Sequence, residues 1–179
     1  MISLKENWVE EKHFKKLQEL LFSSNFNWYY ADAMVTNPNK SATTKEDSGF
    51  WYHNFYFRGD VLSPFYKDYI LPTVKHIPNI ELYNVRANCM YNPIGSEKVI
   101  SDWHVDLLDE NSSTGILYMN TCNGLTEVDV DTRPNPIHSQ ESKENTFLSF
   151  NSMLKHRAIG QTDCLRRIVI NYNFYVSDI

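Results

Sequence analysis

The chain of 179 residues is predicted to be mainly β, a sandwich or barrel that carries helices on one outer face. Three observations predict it: amphipathic helical stretches at the front, a succession of short strand-like runs behind them, and turn-forming clusters between those runs. The helical front covers 1–78 and the β core 80–176. The two are read as a single domain, because this length supports one hydrophobic core and is short for two.

In the first stretch, "WVEEKHFKKLQELLF", Phe14, Leu17, Leu20 and Leu21 recur at helical spacing with lysines and glutamates opposite. In the second, "SPFYKDYILPTVKHI", Ser63 suits a cap and Pro64 the first turn. Pro72 should kink or divide that helix. The polar segment Asn37–Ser48 between them reads as a loop. After Pro78 the period changes to two. Tyr83, Val85, Ala87, Cys89 and Tyr91 share one face of "ELYNVRANCMY", and Asn84, Arg86 and Asn88 share the other. The stretch alone does not say which face looks inward. Further strands are expected at "DWHVDL", "TGILYMN", "LTEVDV", "TFLSF" and "RRIVINYNFYV". Turns at Asn92-Pro93-Ile94-Gly95, Asn123-Gly124 and Pro134-Asn135-Pro136 separate the runs.

Composition narrows the function classes. A hydrophobic share of 42% with 14% aromatic residues argues against disorder. A net charge of −5, with no basic run longer than the pairs Lys15-Lys16 and Arg166-Arg167, argues against nucleic acid as a partner. Cys89, Cys122 and Cys164 are odd in number and form no C-x-x-C, which fits a reducing cytoplasm. The charged start, "MISLKENWVEEKHF", lacks a signal-peptide core, and no apolar run is long enough to span a membrane.

Chemistry is concentrated in "WHVD". In an extended strand alternate side chains share a face, so His104 and Asp106 would project together. An imidazole and a carboxylate form two thirds of a metal site, and a further histidine would complete it. His13 and His76 fall on the expected helices as solvent-facing or helix-end residues. His53, in "FWYHNFYF", reads as a packed histidine, and His138 as a loop residue beside Pro136. His156, after a strand and a turn, is the candidate. Two histidines and one carboxylate on one face of an octahedral iron(II) leave three positions for a chelating acid and oxygen, which a closed four-ligand site could not offer. The same donors also hold manganese, cobalt or zinc.

"WHVD", followed by "GILYMNTCNGLTEV" and "NTFLSFNSMLKHRAIGQTDCLRRIVINYNF", resembles the iron(II)- and 2-oxoglutarate-dependent oxygenases, most closely small single-domain members of the prolyl-hydroxylase-like group. The resemblance covers about residues 80 to 175 and touches "FNWYY" and "SPFYKDYILP" in the front. It implies a double-stranded β-helix, a jelly roll whose mouth holds the metal. It implies that His104, Asp106 and His156 bind Fe(II), with 2-oxoglutarate and O2 as co-substrates. The far carboxylate of 2-oxoglutarate would be held by an arginine on the last strand. The register favours Arg167, sharing an inward face with Val169, Asn171 and Asn173, over Arg166. Tyr118 would share that carboxylate, and its other reading is a core tyrosine. Tyr91, Asn120, Thr126 and Asn173 would line the pocket or else satisfy strand and turn hydrogen bonds.

The implied reaction is hydroxylation of a substrate C–H bond coupled to decarboxylation of 2-oxoglutarate to succinate. A peptidyl or prolyl substrate is the nearest analogy. The alternatives are a small-molecule hydroxylase of the same group and a non-catalytic jelly-roll module that binds a ligand. Nucleobase-demethylating members carry a second arginine six residues after the first, where this chain has Asn173. Asn37–Ser48 together with Phe50–Phe57 would form a substrate-selecting lid.

Overall fold

The computed structural model describes residues 2–32, 49–130 and 137–177. The expected lid loop Asn37–Ser48 lies outside the described residues. In chain order the elements are β1 (Ser3–Glu6), α1 (Glu11–Phe22), β2 (Tyr29–Ala31), β3 (Phe50–Phe57), β4 (Asp60–Val61), a π-helical turn (Tyr66–Ile70), α2 (Leu71–Val74) and β5 (Ile80–Tyr91). There follow β6 (Ser112–Tyr118), β7 (Cys122–Asp129), β8 (Ile137–Ser142), β9 (Thr146–Asn151), β10 (His156–Ile159) and β11 (Arg166–Val176).

The strands form two antiparallel sheets. The larger has eight strands in the order β1-β9-β6-β11-β5-β3-β2, with β4 against β3, and the smaller is β10-β7-β8. Together they make a jelly roll. Ile116, Tyr118, Val128, Leu148, Phe150 and Val169, drawn from both sheets, pack in its interior. A second and larger core lies on the other face of the main sheet. There Phe14, Leu17 and Leu21 of α1 are fully buried in one cluster with Val85, Ala87, Ile168, Ile170 and Tyr172. Each such Leu or Phe contributes about 1.5–3 kcal/mol on burial, so helix packing depends on this stripe. Glu10 caps α1, accepting from the backbone N–H groups of Lys12 and His13.

The two faces of β5 have separate jobs. Val85, Ala87 and Cys89 join the helix-side core, while Arg86, Asn88 and Met90 line the jelly-roll cavity. The second helical stretch is shorter than its sequence suggests. It divides at Ile70/Leu71, just before Pro72, which stands at the second position of α2 and gives up no needed N–H there. His76 falls beyond α2 and meets the Trp8 ring edge-on, with centroids 4.1 Å apart. His13 is not solvent-facing: its Nε2 bonds Tyr69 O at 2.9 Å and ties α1 to the π-helical turn.

Two further expectations are corrected. His138 lies in β8, a largely polar strand pairing with β7, and not in a loop. "DWHVDL" forms no continuous strand. It meets β10 only at the isolated bridges Ile100–Ile159 and His104–His156. Between these bridges one side advances four residues and the other three, a bulge that breaks regular pairing. No described helix is long and apolar enough to cross a membrane.

Candidate active site

The bulged edge positions the first three residues of the site. His104 N donates to His156 O at 3.0 Å, and His156 N donates to His104 O at 2.8 Å. Residues that exchange both backbone bonds stand directly opposite, with side chains on the same face. The imidazole centroids are accordingly 4.3 Å apart. Asp106, anchored by its N–H on Ser152 O at 3.2 Å, projects beside them. Its Oδ1 lies 3.8 Å from His104 Nε2 and 3.5 Å from His156 Nε2. All three donor atoms fall within 4.8 Å of one another.

Hydrogen bonds orient each member. His104 Nδ1 faces Asp102 O at 3.2 Å, and His156 Nδ1 faces Leu154 O at 3.1 Å. Each ring therefore donates Nδ1–H to a carbonyl two residues upstream and turns an Nε2 lone pair inward. Asp106 Oδ2 accepts from Thr114 Oγ1 and from Asn173 Nδ2, both at 2.8 Å. Ser152 Oγ supports Thr114 at 3.0 Å. Burial alone would raise the Asp106 pKa, but the adjacent His156, the hydrogen bond from Thr114 and the nearby His104 hold its carboxyl well below the usual range. Burial also opposes charge on His156, yet the Asp106 carboxylate wins and lifts it above its ordinary value. His104 is lowered, by burial first and by His156 second. His156 Nε2 is buried without a hydrogen bond. Two imidazole lone pairs and a carboxylate oxygen converging in a buried space fit a divalent cation.

Behind this cluster the cavity continues between the sheets. Arg86, Asn88, Met90, Thr126, Val169 and the buried Arg167 are among its lining residues. Arg167 is 2% exposed. Its Nε donates to Ser142 Oγ at 3.1 Å and its Nη2 to Thr126 Oγ1 at 3.0 Å. Among the described residues no carboxylate pairs with it. Its guanidinium carbon is 5.7 Å from the centre of the Tyr118 ring. The Tyr118 hydroxyl is fully buried without a hydrogen bond, and burial pushes its pKa up to about 12, partly opposed by Arg167. Gly124 explains part of "CNGLT": a Cβ there would come 2.5 Å from Arg167 Cδ, so only glycine lets the arginine stem pass.

Not every expected residue lines the cavity. Tyr91 is 57% exposed; its neighbour Met90 takes the wall instead. Asn120 serves the sheet, donating to Arg166 O and accepting from Ile168 N. Arg166 turns to the helical side, its guanidinium 4.9 Å from the Phe22 ring. Thr114, Ser152 and Gly124 were missed by sequence reasoning. Thr114 had a signal, since it shares a strand face with Ile116 and Tyr118. His53 is a packed histidine, bonded through Nε2 to Ser63 Oγ at 2.8 Å. The cysteines are free, although the fold gathers Cys122, Asp163 and Cys164 within 4.8 Å of one another.

Asn173→Ala is expected to weaken divalent-metal affinity by about 10–100-fold, the usual cost of losing a group that orients a ligand. Competition with a chromophoric chelator measures it.

By sequence the chain matches no family model and no curated protein. By structure it is similar to many solved proteins. One is the non-heme alpha-ketoglutarate-dependent epimerase SnoN from nogalamycin biosynthesis, with TM-score 0.65 and 9% identity, over 98% of this chain and 76% of that one. A Pseudomonas putida prolyl-4-hydroxylase gives TM-score 0.61 and 12% identity over 98% and 92%. A Trichoplax adhaerens prolyl hydroxylase, solved with a hypoxia inducible factor peptide, gives 0.63 and 14% over 97% and 83%. The chain has the fold of the 2-oxoglutarate- and iron(II)-dependent oxygenases.

Proposed function

We propose that this chain is an iron(II)- and 2-oxoglutarate-dependent dioxygenase that hydroxylates a C–H bond, with residues 1–179 working as one domain. One observation carries the reading. One cavity is lined both by His104 and His156, whose donor atoms converge with the Asp106 carboxylate, and by a buried arginine, Arg167, without a carboxylate partner among the described residues. A metal-chelating keto acid with a second, distal carboxylate meets both demands at once.

In this reading His104, Asp106 and His156 hold the iron, and Arg167 with Tyr118 receives the distal carboxylate of 2-oxoglutarate. When bound, iron(II) with 2-oxoglutarate and O2 supplies oxidative decarboxylation to succinate and carbon dioxide together with insertion of oxygen into the substrate. The chain's own groups hold geometry. Thr114 and Asn173 fix the carboxylate of Asp106, so that Oδ1 faces the histidines. The two upstream carbonyls keep both imidazoles in the donor tautomer. Phe150, edge-on to His156 with centroids 5.0 Å apart, shields that ring from water. Thr126 and Ser142 hold the Arg167 fork, and a bidentate guanidinium–carboxylate pair suits the planar end of the acid.

Support for the substrate is broader than one class. SnoN has been solved with Fe3+, alpha ketoglutarate and a nogalamycin compound, and the Trichoplax enzyme with a peptide. The fold thus hosts small molecules and peptides alike, and peptidyl or prolyl hydroxylation is one form of the proposed activity.

The test is an anaerobic titration with iron(II) followed by 2-oxoglutarate, then admission of oxygen. A weak visible charge-transfer band and slow succinate release are expected. Absence of both overturns the reading in favour of a non-catalytic module. Gly124→Ala should keep metal binding yet displace the Arg167 stem. Misplacing such a positioning group by about 1 Å costs on the order of 10²-fold in rate, which succinate release at fixed 2-oxoglutarate measures.

A further inference from the structure

A second arginine enters the same cavity and has no part in the chemistry proposed above. Arg86 projects from the polar face of β5, opposite Asn171 on β11 and Asn54 on β3. Its guanidinium lies over the Phe50 ring at 5.4 Å, an arrangement that holds the planar fork in one orientation. Among the described residues it forms no ion pair, and its Nε is buried without a hydrogen bond. Two neighbours on the cavity wall share this condition: the side-chain oxygens of Asn88 and Asn171 are also buried and unbonded. One guanidinium and two amide oxygens are thus left without partners along one wall, and native folds rarely tolerate such a group without a use.

Charge points the same way. Iron(II), the Asp106 carboxylate, the 2-oxoglutarate dianion and Arg167 together cancel, and the two ligating histidines are neutral. Arg157, also on the cavity wall, is paired with Glu127 at 2.7 Å. Arg86 leaves one positive charge over in a partly buried space, which an anionic group of the substrate would neutralise.

We propose that Arg86 binds a carboxylate of the primary substrate while Asn88 and Asn171 accept its N–H groups, so that the substrate is a small acid of the amino-acid class. This rests on the dioxygenase reading. Arg86 and Arg167 line the same cavity, so the co-substrate and a small acid would lie side by side within it. The backbone of a peptide interior brings no carboxylate, so a peptide without an acidic side chain at that point would leave Arg86 unpaired. A carboxylate at Arg86 has two sources, the substrate or 2-oxoglutarate itself, and the experiment separates them.

Wild-type protein with iron(II), 2-oxoglutarate and oxygen is assayed for succinate against the free amino acids and their carboxamides. At least one free acid should raise succinate release well above the unstimulated rate, and its carboxamide should not. Arg86→Met should raise KM for that acid by roughly 30–100-fold, as expected for loss of a charge-assisted pair, and Arg86→Lys should recover part of it. The anaerobic charge-transfer titration gives a second readout, in which Arg86→Met should keep the wild-type affinity for 2-oxoglutarate. A fall in that affinity assigns Arg86 to the co-substrate and overturns the proposal. So does equal stimulation by carboxamides, or a panel in which no acid stimulates while the wild-type band is present. Loss of the band in wild type would instead strike the dioxygenase reading itself.

Discussion

Asp106→Ala abolishes both the anaerobic charge-transfer band and succinate release. This carboxylate is the node of the site, because one oxygen faces both histidines and the other accepts from Thr114 and Asn173. Alanine removes the only anionic donor of the cluster and leaves two imidazoles, too few to hold iron(II) against water. The metal-free variant is also less stable, because Thr114 and Asn173 lose their charged acceptor and keep only the neutral oxygens of Ser152 and Thr114. Losing a hydrogen bond costs about 0.5–1.5 kcal/mol net, which denaturant unfolding of the metal-free proteins measures. Asp106→Asn separates the two effects. It keeps the shape and an acceptor oxygen while removing the charge, so iron is lost with a smaller change in stability. Retention of a full complement of iron by Asp106→Ala, measured by elemental analysis, would place the metal elsewhere.

Arg167→Met has the next largest effect. Two charge-assisted hydrogen bonds to a carboxylate contribute about 1.5–3 kcal/mol each, and about 1.4 kcal/mol is tenfold in affinity. The dissociation constant for 2-oxoglutarate should therefore rise by roughly a hundredfold or more, while iron still binds. Arg166→Ala is the matched control, since that side chain reaches toward Phe22 and not the cavity; its 2-oxoglutarate affinity should stay at the wild-type value. Removing Arg167 also takes a lone charge out of the interior, so the midpoint of thermal unfolding without ligands should not fall. An unchanged 2-oxoglutarate affinity in Arg167→Met, with Arg166→Ala impaired instead, would show that the strand register had been read one residue out.

The elements most legible in the sequence were those whose periodicity is long. Helix α1 and strands β5 and β11 each carry a buried stripe of regular spacing, and their faces follow from it. Tyr91 shows the limit of this reading. It shares a strand face with Val85, Ala87 and Cys89, and once that face is known to meet the helices, period-two arithmetic places Tyr91 outside the cavity. Strand β3 was obscure because "FWYHNFYF" is aromatic on both faces and alternates in nothing. Strands β1 and β10 are four residues each, too short for a pattern, and β8 is polar at an edge. Among site residues, ionisable and metal-binding types announced themselves through their chemistry. Thr114, Ser152 and Gly124 did not, because their importance lies in what they touch, and that contact comes from the fold.

The reciprocal backbone bonds between His104 and His156 carry a consequence for metal uptake. The two imidazoles stand at the two ends of one isolated bridge, so backbone bonds hold this half of the clasp together before the ion arrives. The entropic cost is borne during folding, and affinity then becomes a gauge of how firmly that sheet edge is seated. Loosening the contact between Val99 and Gly160, further along the same edge, would weaken iron retention without altering any ligand.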